Sequence, residues 1–246
     1  MLFAVSLLQL CAGISVSADL QCTTIPGKLR QIDAGAGEVY GVNDNDDIFR
    51  WVDNGWQNVP GKLVHVSVGP AGVWGVNRAN VIYKLQDNEW MSVSGLLKQV
   101  DAGGNKYLSG VNAQDGIFCL RQSCTVSRSS AVTWTQLEGD LKYYSCGLFG
   151  CWGINKPNNI YFRNNVNPTA CQGTQWQQVG GNLVMAEVGT DGSVYGVNSA
   201  GNVYRRYFPF FFHICIQDCY FGKVLMVGCS KKESPGFLDA EESIYG

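Results

Sequence analysis

Charge is scarce in this sequence. Only 15% of its 246 residues are Asp, Glu, Lys or Arg, and they nearly cancel to a net charge of -2. Basic residues gather no further than the isolated pairs Arg205-Arg206 and Lys231-Lys232. Neutralising a phosphate backbone needs a basic patch or stripe, so nucleic acid is not expected as a partner. Histidine is scarcer still, with His65 and His213 the two in the chain. No GxSxG elbow, phosphate loop or HExxH occurs, and each of those is a recognisable catalytic device. Asp33, Asp101 and Glu187 each stand alone on strand-like segments, which leaves a glycosidase carboxylate pair without support. Enzymatic activity is therefore not expected. No amphipathic helix reads out between Leu20 and Tyr204. The apolar segment from Tyr207 onward is interrupted by Gln217, Asp218 and Lys223. It falls short of the roughly 20 residues a membrane span requires.

Cysteine, in contrast, is plentiful. Leu2 to Ile14 is mostly apolar and Val16-Ser17-Ala18 offers small residues before Asp19, so residues 1–18 read as a secretory signal. Removing them takes Cys11 and leaves nine of the ten cysteines, a number suited to an oxidising, extracellular compartment. Cys119 and Cys124 flank four residues, as do Cys146 and Cys151. Each pair is expected to close a short loop by a disulfide. Zinc is the competing reading for these four, weakened because neither pair is CxxC and the pairs lie in different repeats. The partners of Cys22, Cys171, Cys215, Cys219 and Cys229 are not set by spacing.

The dominant feature is a repeat. Gly-Val-Asn or Gly-Ile-Asn recurs with its Asn at Asn43, Asn77, Asn112, Asn155 and Asn198, in steps of 34, 35, 43 and 43 residues. A period of that size marks an array of supersecondary units. Each unit has a first apolar run starting near a Leu (Leu29, Leu63, Leu97, Leu141, Leu183) and a second ending in the tripeptide. A third is Ile-aromatic or Val-aromatic, and a fourth opens at Trp56, Trp90, Trp134 or Trp176. These runs are short and rich in β-branched and aromatic residues, which predicts strands. Four antiparallel strands per unit make a propeller blade, whose radial arrangement protects its edges. The recurrent Gly41, Gly75, Gly110, Gly153 and Gly196 are expected on an innermost strand, where a side chain would clash with the neighbouring blade. Insertions at 121–132 and 164–175 lengthen one loop on a single face of the disc, and Cys119, Cys124 and Cys171 lie in or beside them.

The wording from Trp56 to Tyr83, Trp-x-x-Val-Pro-Gly-Lys-Leu through Val-Trp-Gly-Val-Asn to Ile-Tyr, resembles the tectonin repeat. The segments Gln31-Ile32-Asp33-Ala34-Gly35 and Gly189-Thr190-Asp191-Gly192-Ser193-Val194-Tyr195-Gly196-Val197-Asn198 are similar to the secreted fish-egg lectins of that family. The resemblance covers Asp19 to Arg206. It implies an all-β, six-bladed propeller that binds N-acetylglucosamine-type sugars and bacterial lipopolysaccharide in innate defence of eggs. It also implies closure by an N-terminal strand, here Leu20 to Ile25, with Cys22 as a terminal half-cystine. The chain departs from this pattern at its other end. After Arg206 the fifth repeat has no closing Trp and no sixth repeat follows. Residues 207–246 form a divergent segment in place of the last blade, so about five blades are expected. A retained intron or an alternative final exon accounts for such a segment. The incomplete ring is expected to fold poorly or to associate into an oligomer.

Sugar recognition needs planar amides and carboxylates together with an aromatic face. The loops around each tripeptide supply Asn43, Asp46, Asp47, Asn77, Asn80, Asn112, Asp115, Asn155, Asn159, Asn198 and Asn202 as candidate ligands. Asn and Asp are also what tight turns demand, so a purely structural role stands beside the functional one. The repeated Trp and Tyr read more readily as inter-blade core than as sugar platforms. Asn43 to Asp47 is rich in oxygen ligands but lacks the Gly and Glu of an EF-hand, so calcium at this turn stays open and no cofactor is required. The alternative to a lectin is a propeller whose disc face binds an egg or yolk polypeptide.

Overall fold

A computed structural model describes residues 24–189, 191–207 and 238–239. The leader, Cys22 and the cysteines at 215, 219 and 229 lie outside the described residues. The rest form five four-stranded antiparallel sheets, each a simple meander. Blade 1 comprises β1 (Gln31–Gly35), β2 (Glu38–Val42), β3 (Asp47–Val52) and β4 (Gly55–Lys62). Blade 2 comprises β5 (His65–Gly69), β6 (Gly72–Val76), β7 (Val81–Gln86) and β8 (Glu89–Leu96). Blade 3 comprises β9 (Gln99–Asp101), β10 (Leu108–Val111), β11 (Gly116–Leu120) and β12 (Thr135–Asp140), with the one-turn helix α1 (Gln122–Thr125) in its insertion. Blade 4 comprises β13 (Tyr143–Gly147), β14 (Gly150–Ile154), β15 (Asn159–Arg163) and β16 (Trp176–Asn182). Blade 5 comprises β17 (Met185–Val188), β18 (Ser193–Val197), β19 (Val203–Tyr207) and β20 (Leu238–Asp239). Its fourth strand thus comes from within the divergent segment, with Arg205 opposite Leu238 and Tyr204 opposite Asp239.

The first strands β1, β5, β9, β13 and β17 are the innermost, each touching the next from β1 to β17. One column of polar side chains on them clamps each blade to the next. Asp33 Oδ2 accepts the Val68 amide at 2.7 Å and Ser67 Oγ accepts that of Ala102 at 2.9 Å. Asp101 Oδ1 then accepts the Cys146 amide at 3.0 Å, and Ser145 Oγ that of Val188 at 3.1 Å. Two glutamines add a second rung. Gln31 donates Nε2 to the Val66 carbonyl and accepts the Val66 amide, at 2.8 and 3.0 Å. Gln99 does the same to Tyr144, at 2.9 and 3.3 Å.

The glycines of the repeated tripeptide sit on the second strands, not the innermost. A Cβ on Gly75 would lie 2.4 Å from Leu63 Cδ1, and one on Gly196 would lie 2.4 Å from Leu183 Cδ1. The clash is therefore with the blade's own leading Leu. Close approach at the axis belongs instead to Gly35 and Gly69, where a Cβ would meet the carbonyls of Val68 and Ala102 at 2.2 and 2.1 Å.

Apolar side chains fill the wedges between blades. Tyr40, Val42 and Ile48 of blade 1 pack with Leu63, Val66 and Val68 of blade 2, and the pattern repeats onward. Each closing Trp lies over a Gly from one blade earlier: Trp90 on Gly61, Trp134 on Gly95 and Trp176 on Gly139, each on the last strand of the preceding blade, and Trp56 on Gly27 ahead of β1. The disulfides differ in one respect from the spacing-based expectation. Cys146 pairs with Cys151, but Cys119 pairs with Cys171, 52 residues on, and Cys124 is a free thiol. Cys124 sits on the turn of α1, whereas the blade 4 insertion comes back beside β11, its Pro168 carbonyl accepting the Gln122 amide at 2.9 Å. That contact brings Cys171 to Cys119 and staples blade 3 to blade 4.

Candidate functional site

The loops joining second to third strands share one design. The side-chain oxygen of the repeated Asn accepts two amides of its own loop, as Asn77 does from Ala79 and Val81 at 3.0 Å each. Asn43, Asn112 and Asn198 do likewise, and Asn155 takes the Asn159 amide at 2.8 Å. The fourth loop position adopts positive φ at Asp46, Asn80, Asp115, Asn158 and Gly201, a conformation that Asn, Asp and Gly tolerate best. Its carbonyl accepts the amide of the next blade's leading Leu, from Asp46 to Leu63 through Asn158 to Leu183. Asp47, Asn159 and Asn202 sit at the fifth position, each donating its amide to the repeated Asn.

These loops and the leads into the next blade create clefts at two blade junctions. Between blades 3 and 4 it encloses about 590 Å³, with Gln114, Asp115, Asp140, Asn155, Lys156, Tyr161 and Trp176 in its lining. Between blades 4 and 5 the homologous cleft is about 340 Å³, lined among others by Asn182, Asn198 and Tyr204. Of the sequence candidates, Asp115 and Asn155 thus meet in one cleft from two repeats, and Asn198 stands in the next. Asp140 and Lys156 were not singled out from the sequence, and Tyr161 and Trp176, read there as inter-blade core, line the cleft. Aligning the repeats shows them as columns, but which columns face one another depends on how blades adjoin.

Trp176 is held rigidly. Its indole N–H donates to the Glu138 carbonyl at 2.9 Å, and the Arg163 guanidinium lies 4.8 Å from its ring centre. Arg163, 3% exposed, is itself fixed by Glu138 at 2.5 and 3.1 Å and by the Gln172 carbonyl at 2.7 Å. The Glu138 carboxyl lies below its ordinary pKa because of that hydrogen bond to Arg163. An anchored aromatic side chain sharing a cleft with amides, a phenol and carboxylates can bind a pyranose, apolar face to the ring and hydroxyls to the polar groups.

The acidic loop of blade 1 is engaged internally. Asp46 receives Arg78 at 2.6 and 3.0 Å and Arg30 at 3.5 Å, while Asp47 receives Lys62 at 2.5 Å and Asn43 at 3.1 Å. The Lys62 hydrogen bond draws the Asp47 carboxyl below its usual range. Among the described residues no group of three or more His, Cys, Asp or Glu is placed to hold a metal ion. No helix among them is long and apolar enough to cross a membrane.

Residues 28–208 match the family model described as the tectonin domain. The chain is 57% identical over 189 residues to the fish-egg lectin of Cyprinus carpio, covering 76% of this chain and 79% of that one. It is 36% identical over 76 residues to tectonin-1 of Physarum polycephalum, covering 30% and 31% of the two chains. Among solved structures, human WBSCR16 superposes with a TM-score of 0.53 at 12% identity. That match covers 72% of this chain and 61% of that one, and speaks for the fold alone. Repeat wording, blade architecture and these matches agree: the chain belongs to the tectonin β-propeller family.

Proposed function

We propose that this protein is a secreted, non-catalytic lectin of the egg. It binds N-acetylglucosamine-type sugars and the bacterial lipopolysaccharide that carries them, at the clefts between blades on the face of the repeated Asn loops. The observation that carries this reading is the cleft between blades 3 and 4. There an anchored Trp176 and Tyr161 line one cleft together with Asp115, Asp140 and Asn155. Aromatic stacking supplies affinity and the polar groups supply orientation. Asp46, Asp47, Asn43, Asn77, Asn80, Asn112, Asn159, Asn198 and Asn202 frame the same rim, their loops holding each cleft in shape.

Adsorption to an N-acetylglucosamine resin followed by elution with the free sugar tests the reading. Elution at millimolar sugar supports it. Failure to adsorb refutes it. Retention that free sugar does not release points to a polypeptide-binding propeller instead.

A further inference from the structure

We infer that glycan recognition in this chain is concentrated in the single cleft between blades 3 and 4. There the Tyr161 hydroxyl, the Asn155 amide and the Asp140 carboxylate select an N-acetylated hexopyranose. This inference rests on the lectin reading and deepens it, because the repeats alone suggest several equivalent sites.

Homologous positions at the four junctions carry different chemistry. In the sugar-facing column of second-to-third-strand loops, Asn77 donates Nδ2 to the Tyr83 hydroxyl at 3.4 Å, and Asn198 to that of Tyr204 at 3.1 Å. Those two polar pairs satisfy each other. Asn155 and Tyr161 make no such bond, although both line the larger cleft. A donor amide and a phenol are left for a ligand's acetyl carbonyl and ring hydroxyl. In blade 3 the phenol is absent altogether, since Phe118 occupies its place.

Charge divides the junctions in the same way. At the first, Arg78 reaches across from blade 2 to grip Asp46 of blade 1 in a two-point ion pair, so both charged groups are already engaged. The corresponding residues at the third junction are Lys156 and Asp115. Here Asp115 is taken instead by Lys98 of its own blade, and Lys156 is left at the rim. Ala113 and Ser199 hold the Lys156 position at the second and fourth junctions. The residue before each leading Leu runs Lys62, Leu96, Asp140 and Asn182. Lys62 is tied to Asp47, and Leu96 is 61% exposed and apolar. Asp140 is therefore the one carboxylate in that column, suited to accept two hydroxyls of a sugar. The fourth junction also lacks a Trp176 counterpart among the described residues and has the smaller volume.

Titration calorimetry with a β1,4-linked trimer of N-acetylglucosamine tests this. One site per chain is expected for the native protein. Replacing Tyr161 and Asp140 by the residues of the second junction, as Tyr161→Phe with Asp140→Leu, removes two ligand hydrogen bonds. Roughly a tenfold or greater loss of affinity is expected. Tyr204→Phe is expected to change affinity less than about threefold by the same reckoning. Melting curves within a few degrees of the native protein show that each variant is folded. Two or more equivalent sites, or equal losses from the Tyr161 and Tyr204 variants, overturn the concentration in one cleft and leave the lectin reading standing. A native protein that does not bind the trimer overturns both.

Discussion

Cys119 of blade 3 is joined to Cys171 of blade 4 across 52 residues, while Cys146 and Cys151 close a hairpin within one blade. A bridge stabilises chiefly by restricting the unfolded chain, and by that reckoning the long loop is worth about 4 kcal/mol against about 2 for the short one. Cys119→Ser with Cys171→Ser should accordingly lower the melting temperature more than Cys146→Ser with Cys151→Ser. Non-reducing peptide mapping checks the pairing: Cys119 and Cys171 should be recovered in one linked fragment, with Cys124 alkylated. A Cys119–Cys124 fragment overturns it.

His65 stands in the column that Gln31 and Gln99 occupy in blades 1 and 3, and both its ring nitrogens are buried without a partner. Burial, with the nearby Arg30 charge, lowers its pKa from 6.5 to about 4. The unfolded chain therefore binds the proton more readily, and stability falls as pH drops through the window from 6.5 to about 4. The full loss is on the order of 3 kcal/mol. His65→Gln should remove that acid sensitivity. It should also add the two-point bond to Val100 that the other glutamines make to Val66 and Tyr144. A gain of about 1–2 kcal/mol is expected at pH 7 in denaturant unfolding. A His65→Gln protein that still loses stability over that window would assign the effect to another group.

The blades were legible in the sequence because one period carried both the turn Asn and the strand residues around it. Cross-blade features were not. The clamp column Asp33, Ser67, Asp101, Ser145 and Glu187 varies in residue type while keeping one function, so it has no consensus to catch the eye. The leading Leu reads as the start of the first strand, yet the strands begin two residues later, at Gln31 and His65, because that Leu is spent packing against the tripeptide Gly. Cys171 is remote from Cys119 in sequence and adjacent only once blade 4 returns its insertion. For the same reason the cleft between blades 3 and 4 draws its residues from two repeats and was visible only in part.

Glu187 ends the clamp column. It accepts the Ser145 hydroxyl at 2.8 Å and that of Tyr143, and clamps no following blade among the described residues. Burial raises its pKa from 4.5 to about 7, with Asp33 adding repulsion, and Asp101 is raised well above its ordinary value by burial and by Glu187. For a carboxyl raised in the folded state, the added stability is complete below pH 4.5 and lost as pH rises through about 7. Its sign is opposite to that of His65. Glu187→Gln should flatten the decline between pH 5 and 8. Because Glu187 is only partly buried on its strand, the gain above pH 7 is about 1 kcal/mol, less than the full shift implies. Thermal melts across that range check it, and an unchanged slope would exclude Glu187 as the titrating group.

Ile32 occupies on β1 the position that Val66, Val100, Tyr144 and Ala186 hold on the other first strands. It is 57% exposed where those four are completely buried. Tyr195 and Val203 of blade 5 are also exposed, at 45% and 51%, although Tyr40, Trp74, Ile48 and Ile160 at matching positions are buried. The Ala34 amide, counterpart of the four clamped amides, bonds its own Asp33 at 2.9 Å rather than a preceding blade. Both sides of the junction between blades 5 and 1 are thus unmade among the described residues. Val66→Ala should cost about 1–3 kcal/mol through lost burial and a residual cavity. Ile32→Ala should cost less than about 0.5 kcal/mol, as surface substitutions do. Chemical denaturation of the two variants distinguishes an open ring from a closed one. Equal costs would mean that Ile32 is covered in solution, and that the protein completes its ring or pairs with another copy through this face.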